Sequence, residues 1–308
     1  MTALEPESRA LLEEVLPRYA PTPGMPAEEA RRLALELGRR LQGALVEMAE
    51  ILDLSVPAEG RAVPARLYRP FGCNGGWVLW IHGGGFMTGG LDTHDGLCRR
   101  LAGESGQAVV SLDYRLAPDH PWPAALDDCR ATFDWLRAEA GALALDDARG
   151  AIGGSSAGGN LAAALALRLR DGGGPMPLGQ VLVYPCVDAT MSLAAASPHG
   201  QGYQLTAAMM AYYWEAYCGP ADRRDPGLSP LFAERLSGLP PALVVIAELD
   251  PLAEEGLAYA GRLRAEGVAT ELSVVPGVMH GFFAQAGALA RARAAQAEVC
   301  AFLRRRLG

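Results

Sequence analysis

Residues 153–160 read GGSSAGGN and sit between an apolar run ending at Ile152 and an Ala/Leu-rich stretch, 161–169, with helical spacing. This combination dictates a strand, a tight turn and a helix. Within it, Gly154-Ser155-Ser156-Ala157-Gly158 fits G-x-S-x-G, in which a serine on a sharp strand-to-helix turn is pushed out of the sheet with its hydroxyl exposed. Small residues on both sides let such a turn close without side-chain clash. The frame one residue earlier would need glycine at position 157, which is alanine, so Ser156 and not Ser155 is the candidate nucleophile.

A turn of this kind needs a sheet to sit on, and the chain supplies one. From residue 62 onward, β-rich runs at 62–68, 77–81, 108–113, 151–154, 181–184, 242–247 and 271–275 alternate with helical stretches at 92–103, 124–140, 157–170, 252–266 and 288–306. Strand–helix alternation with near-continuous apolar strands predicts an α/β fold, a mostly parallel sheet covered by helices on both faces. Before it, residues 8–16 and 27–52 show apolar residues at helical spacing (Leu33, Leu37, Leu41, Leu45, Met48, Leu52) and predict two amphipathic helices around a Pro-rich break. Between residues 187 and 239 no good strand is visible; a short helix carrying Met209, Met210, Tyr212, Tyr213 and Trp214 is followed by Pro/Gly/Asp-rich loop. An excursion of this length is commonly a lid or binding loop. The expected organisation is therefore residues 1–55 as the helical part of a cap, 56–186 and 240–308 as two parts of the α/β core, and 187–239 as a cap insertion. The Met/Tyr/Trp stripe is open to two readings, packing of its own helix or lining of a pocket.

Composition narrows the function classes. A formal net charge of −8 argues against nucleic acid and anionic membrane surfaces, both of which need a basic face. All 27 basic residues are arginine, which excludes Schiff-base chemistry on lysine. The N-terminal sequence has acidic residues where a secretory signal needs a basic flank and an apolar centre, and no apolar run approaches the length of a membrane span. The six cysteines, Cys73, Cys98, Cys129, Cys186, Cys218 and Cys300, form no C-x-x-C pair and read as buried free thiols. The expectation is a cytoplasmic protein acting on a small molecule, with no metal; a homodimer is left open.

Acyl transfer by a serine needs a base, an acid to orient the base, and donors for the developing oxyanion. The strand 242–247 runs into Glu248-Leu249-Asp250-Pro251, placing carboxylates at the carboxyl end of a parallel strand, where open α/β sheets bind ligands. Asp250, held just before a proline, is the first choice; Glu248 is the fallback, and helix capping by Asp250 is the alternative role. Of the five histidines, His82, His94, His120, His199 and His280, only His280 follows the last expected strand on a loop before the C-terminal helix. The order Ser156, Asp250, His280 is that of the nucleophile–acid–histidine arrangement on strand–turn–helix serine enzymes. After the strand 77–81 comes His82-Gly83-Gly84-Gly85-Phe86, whose glycines leave backbone N–H groups open to an approaching oxygen. Gly84, Gly85 and Ala157 are the expected oxyanion donors, with His82 bracing the loop. A phosphate cradle is excluded, since neither G-K-[ST] nor G-x-G-x-x-G spacing is present.

Taken together, HGGGF (82–86), DYRLAPDHPWPAALDD (113–128), GSSAGGN (154–160), AELDPLAEEG (247–256) and HGF (280–282) resemble the motifs of the hormone-sensitive-lipase-like esterases, in the same order and from about residue 62 to the C-terminus. The resemblance implies an α/β-hydrolase fold with a small helical cap, and carboxylesterase activity on short- to medium-chain acyl esters without metal or cofactor. It carries the triad to Ser156, Asp250 and His280 and the oxyanion donors to Gly84, Gly85 and Ala157. An L-T-x-x-M-M segment that contributes to the acyl pocket of similar enzymes is matched by residues 205–210, so Leu205, Met210 and Tyr213 become candidate substrate contacts. Ser155 departs from the pattern, standing where the family usually carries aspartate. Arg115 and Asp119 within YRLAPD read as structural, Arg115 as a brace for a carboxylate. Two other readings remain: a non-catalytic small-molecule receptor on the same fold, and an amidase or peptidase using the same triad.

Overall fold

The computed structural model describes residues 3–308; residues 1–2, at the start of the expected N-terminal helical part, lie outside the described residues. Eight strands form one sheet: β1 (Glu50–Ala58), β2 (Arg61–Arg69), β3 (Trp77–Ile81), β4 (Ala108–Leu112), β5 (Gly150–Ser155), β6 (Gln180–Val183), β7 (Ala242–Leu249) and β8 (Thr270–Met279). Their order is β1-β2-β4-β3-β5-β6-β7-β8. The β1–β2 and β2–β4 pairs are antiparallel, and every other pair is parallel.

The parallel strands are apolar at nearly every position because both faces are covered, so alternate side chains enter different cores. In β3, Trp77, Leu79 and Ile81 join one cluster while Val78 and Trp80 join the other. β7 does the same with Ala242, Val244 and Ile246 against Leu243, Val245 and Ala247. Eight helices accompany the sheet among the described residues: α1 (Pro6–Ala10), α2 (Ala27–Leu41), α3 (Asp95–Ser105), α4 (Ala124–Ala138), α5 (Ala157–Asp171), α6 (Ala207–Cys218), α7 (Ala253–Ala265) and α8 (Ala290–Leu307). α5 is buried at 12 of its 15 positions, which suits its small and aliphatic residues; burying Leu161, Leu165 and Leu169 contributes roughly 1.5–3 kcal/mol each. Arg115 clasps the buried Asp128 through its Nε (3.0 Å to Oδ2) and Nη2 (3.0 Å to Oδ1), the bracing role expected of it, and Arg61 of β2 pairs with the same carboxylate.

One expected helix is corrected. The apolar spacing of residues 27–52 predicts a helix throughout, but α2 stops at Leu41 and residues 50–52 open strand β1, pairing with Leu67, Tyr68 and Arg69. The break is local: Gly43 has φ +79, and a Cβ there would sit 2.8 Å from Gly287 Cα, so the chain turns tightly against the C-terminal loop. Leu45 and Leu52, which complete the helical pattern on paper, are instead partly solvent-exposed. The helical N-terminal part thus ends before Glu50, not at residue 55. The expected helix at 8–16 also differs: after α1 the chain continues as a wider five-residue turn and a short 3-10 turn up to Arg18.

Between residues 187 and 239, α6 is the only α-helix, capped by Thr206, whose hydroxyl accepts from Met209 N (3.1 Å). This segment and α2 both overlie the carboxyl ends of the parallel strands, where they line one cavity.

Candidate active site

Ser156 stands between β5 and α5 with φ +57 and ψ −119, a conformation that costs a side-chain-bearing residue on the order of 1–3 kcal/mol and persists only where its surroundings over-determine it. Here they do. Ser156 N donates to Val183 O of β6 (2.9 Å), and Asn160 N closes the first turn of α5 on Ser156 O (3.0 Å). A Cβ on Gly158 would run into Ile81 O and lie 2.5 Å from His82 O, and one on Gly154 would run into Gly158 O, so no larger residue fits beside the turn.

His280 follows β8 directly, and its Nε2 lies 2.8 Å from Ser156 Oγ. Its Nδ1 lies 2.6 Å from Asp250 Oδ2, and Asp250 itself is fully buried just after β7. The second carboxylate oxygen, Oδ1, accepts from Leu252 N (2.9 Å), which holds the carboxylate plane. Of the two roles weighed for Asp250, the side chain faces His280 and does not cap α7, whose first residues receive no side-chain cap; the bond to Leu252 N is a local turn just before the helix. Glu248, the fallback, is engaged elsewhere: its Oε2 accepts from Gly277 N (2.9 Å), steadying the strand that leads to His280.

The glycine loop lies over the same serine. A Cβ on Gly83 would come 2.8 Å from Ser155 O and 3.4 Å from Ser156 Cβ. Gly84 O is turned away and accepts from Met87 N (3.1 Å) and Thr88 N (2.9 Å), while the N–H groups of Gly84, Gly85 and Ala157 enter no such loop or capping bond. His82 is fully buried, its Nδ1 2.8 Å from Gly83 O and its ring stacked on Tyr114 at 4.2 Å. Burial pulls its pKa down to about 4, so it braces the loop as a neutral ring.

Above Ser156 is a cavity of about 220 Å³ whose walls come from Leu205, Met209, Met210 and Tyr213 of the insertion, from Ala30, Ala34 and Leu37 of α2, and from the glycine loop. The Met/Tyr/Trp stripe serves both of its readings: Met209, Met210 and Tyr213 face the cavity, while Trp214 and Tyr217 turn away into the core, where their rings pack on Phe86. Sequence reasoning missed Tyr184, which follows β6, lines the cavity and lies 4.5 Å from the His280 ring. Its place after a parallel strand was the available signal. Its phenol is pushed well above its ordinary value, first by burial and then by the Asp250 charge. The contributions of Gln204 and Gln285 to the cavity had no sequence signal, and nothing in the sequence said which residues of the N-terminal helical part would line it. Among the described residues no group of three or more His, Cys, Asp or Glu side chains is placed to hold a metal ion.

A serine, a histidine and a buried carboxylate in hydrogen-bond series, under a cavity and beside open amides, can carry out nucleophilic attack on a carbonyl. The sequence profile of the α/β-hydrolase fold matches residues 78–284. The chain belongs to this family. An ethyl acetate hydrolase of Pseudomonas putida is 41% identical over 278 residues, spanning 87% of this α/β hydrolase and 86% of the relative. A carboxylesterase of Mycobacterium tuberculosis, NlhH, is 36% identical over 286 residues, 91% and 88% of the two chains. The crystallographically known hyperthermophilic esterase from the archaeon Pyrobaculum calidifontis superimposes with a TM-score of 0.93 at 37% identity, covering 98% of each chain. The resemblance read from the motifs holds, and this α/β hydrolase stands among carboxylic-ester hydrolases. Among its described residues no helix is long and apolar enough to cross a membrane.

Proposed function

We propose that this chain is a serine carboxylesterase that hydrolyses short- to medium-chain acyl esters through an acyl-enzyme. Ser156 Oγ attacks the ester carbonyl carbon as its proton passes to His280 Nε2, and Asp250 stabilises the imidazolium through Nδ1. The tetrahedral oxyanion is met by the amides of Gly84, Gly85 and Ala157. Collapse expels the alcohol, which takes the proton from His280. Water then attacks the acyl carbonyl by the same route, releasing the acid and restoring Ser156. The observation that carries the reading is the unbroken series from Ser156 Oγ through His280 to Asp250, at 2.8 and 2.6 Å. The acyl chain is assigned to the wall formed by Leu205, Met210 and Tyr213, with residues before Glu50 and residues 187–239 acting as the cap.

An ester in preference to an amide is supported by the relatives named as an ethyl acetate hydrolase and a carboxylesterase. A non-catalytic receptor would have no use for the strained φ of Ser156 or the complete hydrogen-bond series. A cytoplasmic location belongs to the same reading; all six cysteines are unpaired, which suits a reducing compartment. The test is Ser156→Ala assayed on p-nitrophenyl butyrate: turnover should fall by about 10⁴-fold or more in a protein that still folds, given the cost of removing such a nucleophile. Activity within about tenfold of the unaltered protein would remove the assignment.

A further inference from the structure

The glycine loop is followed by a residue whose backbone does not fit its side chain. Phe86 has φ +61, in the left-handed region that an aromatic residue avoids, and it is fully buried. A strained residue of this kind is maintained by contacts that would be lost if it relaxed. Those contacts come from two segments outside the sheet. From α6, the Tyr217 ring stacks on Phe86 at 3.8 Å between centroids and 2° between planes, and the Trp214 ring packs at 5.0 Å. The Tyr217 hydroxyl is buried without a hydrogen-bond partner, so the ring face and not the hydroxyl makes the contact. Tyr213, one helical turn earlier, presses its ring on Gly85 so closely that a Cβ there would lie 2.5 Å from it. From α2, Arg31 Nε donates to Met87 O (3.0 Å) and its Nη2 to Ala117 O (3.1 Å), while Ala117 N donates back to Phe86 O (2.8 Å).

The turn carrying Gly84 and Gly85 is thus held from one side by an aromatic stack and from the other by a guanidinium. We infer that Tyr217 is a positioning residue for catalysis: by stacking on Phe86 it keeps the Gly84 and Gly85 amides aimed at the carbonyl oxygen, and Arg31 is the second clamp on the same turn. The inference rests on the oxyanion assignment above. Its physical basis is that preorganised donors act only when fixed before charge develops, and that misplacement by about 1 Å can cost about a hundredfold in rate. It also makes the covering segments part of the catalytic geometry: a displacement of α6 that separates Tyr217 from Phe86 releases the strain and the donors together.

The experiment compares Tyr217→Phe, Tyr217→Leu and Arg31→Met with the unaltered enzyme, measuring kcat and KM for p-nitrophenyl butyrate. It also measures the inhibition constant of an alkyl trifluoromethyl ketone, whose hemiketal with Ser156 places an oxyanion among the same amides. Tyr217→Phe keeps the flat ring and should stay within about twofold. Tyr217→Leu should lower kcat by about 10- to 100-fold with KM within about threefold, and weaken the trifluoromethyl ketone by a similar factor. Arg31→Met, at a partly exposed position, should lower kcat by about three- to tenfold, and it decides the matter if the leucine variant does not fold. The inference is overturned if Tyr217→Leu and Arg31→Met keep kcat and the inhibition constant within about twofold, or if Tyr217→Phe loses as much as Tyr217→Leu. An unaltered enzyme indifferent to the trifluoromethyl ketone, or an active Ser156→Ala variant, overturns the oxyanion and nucleophile reading itself, and this inference with it.

Discussion

Replacing Asp250 by asparagine is the sharpest test of how the site works, because the structure limits how the new side chain can sit. Asp250 is fully buried, with Oδ2 2.6 Å from His280 Nδ1 and Oδ1 accepting from Leu252 N at 2.9 Å. Asparagine has one carbonyl oxygen and one NH2 group. If its oxygen faces His280, the NH2 faces the Leu252 N–H, leaving a buried donor unpaired at a cost of about 1–3 kcal/mol. If its oxygen stays on Leu252 N, the NH2 donates to Nδ1, which must then be unprotonated, and Nε2 carries the hydrogen toward Ser156 Oγ. The second arrangement satisfies every group and is favoured by that margin, so the imidazole is held in the tautomer that cannot accept the serine proton. The expected result is a loss of about 10³–10⁴ in kcat, equivalent to about 4–5.5 kcal/mol of barrier, with KM little changed. Size and shape are kept and a buried charge is removed, so the variant should fold. The assay is p-nitrophenyl butyrate hydrolysis beside a thermal melt, with Glu248→Gln as companion. The companion's amide oxygen can still accept from Gly277 N, so it should stay within about threefold. A folded Asp250→Asn variant with kcat within tenfold of the unaltered enzyme, or a Glu248→Gln variant that is the more damaged of the two, would refute the reasoning.

Other substitutions probe the parts around this series. Gly158→Ala drives a methyl group toward Ile81 O and His82 O, so the turn must shift; stability should fall by about 1–3 kcal/mol and kcat by about 100-fold, read by urea unfolding and steady-state kinetics, and a fully active, equally stable variant would show that the turn has slack. His82 titrates at about 4 in the folded protein against an ordinary 6.5, so its proton is taken up preferentially by the unfolded chain: its stabilisation is complete above pH 6.5 and is lost as pH falls toward 4. Between pH 7.5 and pH 5 the unaltered protein should therefore lose about 2 kcal/mol more than His82→Asn, and equal losses in urea titrations at the two pH values would contradict burial as the cause. Met210→Ala enlarges the cavity wall above Ser156 and should move the preferred acyl chain to greater length, each added methylene contributing about 0.8 kcal/mol until the space is full; an unchanged profile from acetyl to dodecanoyl esters would place the acyl chain elsewhere.

The candidate site positions were legible because each lies on a short segment whose local sequence specifies its own geometry. The apolar strand, small-residue turn and alanine-rich helix around Ser156 require one backbone path, and the same holds for the glycines after β3. Asp250 and His280 were found from their place after parallel strands, which a strand-helix alternation reveals without any contact being known. The failure at residues 42–52 has the opposite character. Leu45, Met48 and Leu52 have helical spacing, yet Glu50–Leu52 joins the sheet, because pairing with residues 67–69 and the close approach of Gly43 to Gly287 outweigh local periodicity.

Sequence by itself determined the fold class and singled out Ser156, Asp250 and His280, which the structure brings into one hydrogen-bond series, since these follow from local backbone requirements and from the alternation of strand and helix. Tertiary structure alone decided which oxygen of Asp250 meets His280, what Glu248 does instead, and which face of α6 lines the cavity. It also brought α2, Arg31 and Tyr217 to the turn beside the serine. Those are contacts between segments far apart in the chain, set by how the core packs, and no short stretch of residues contains them.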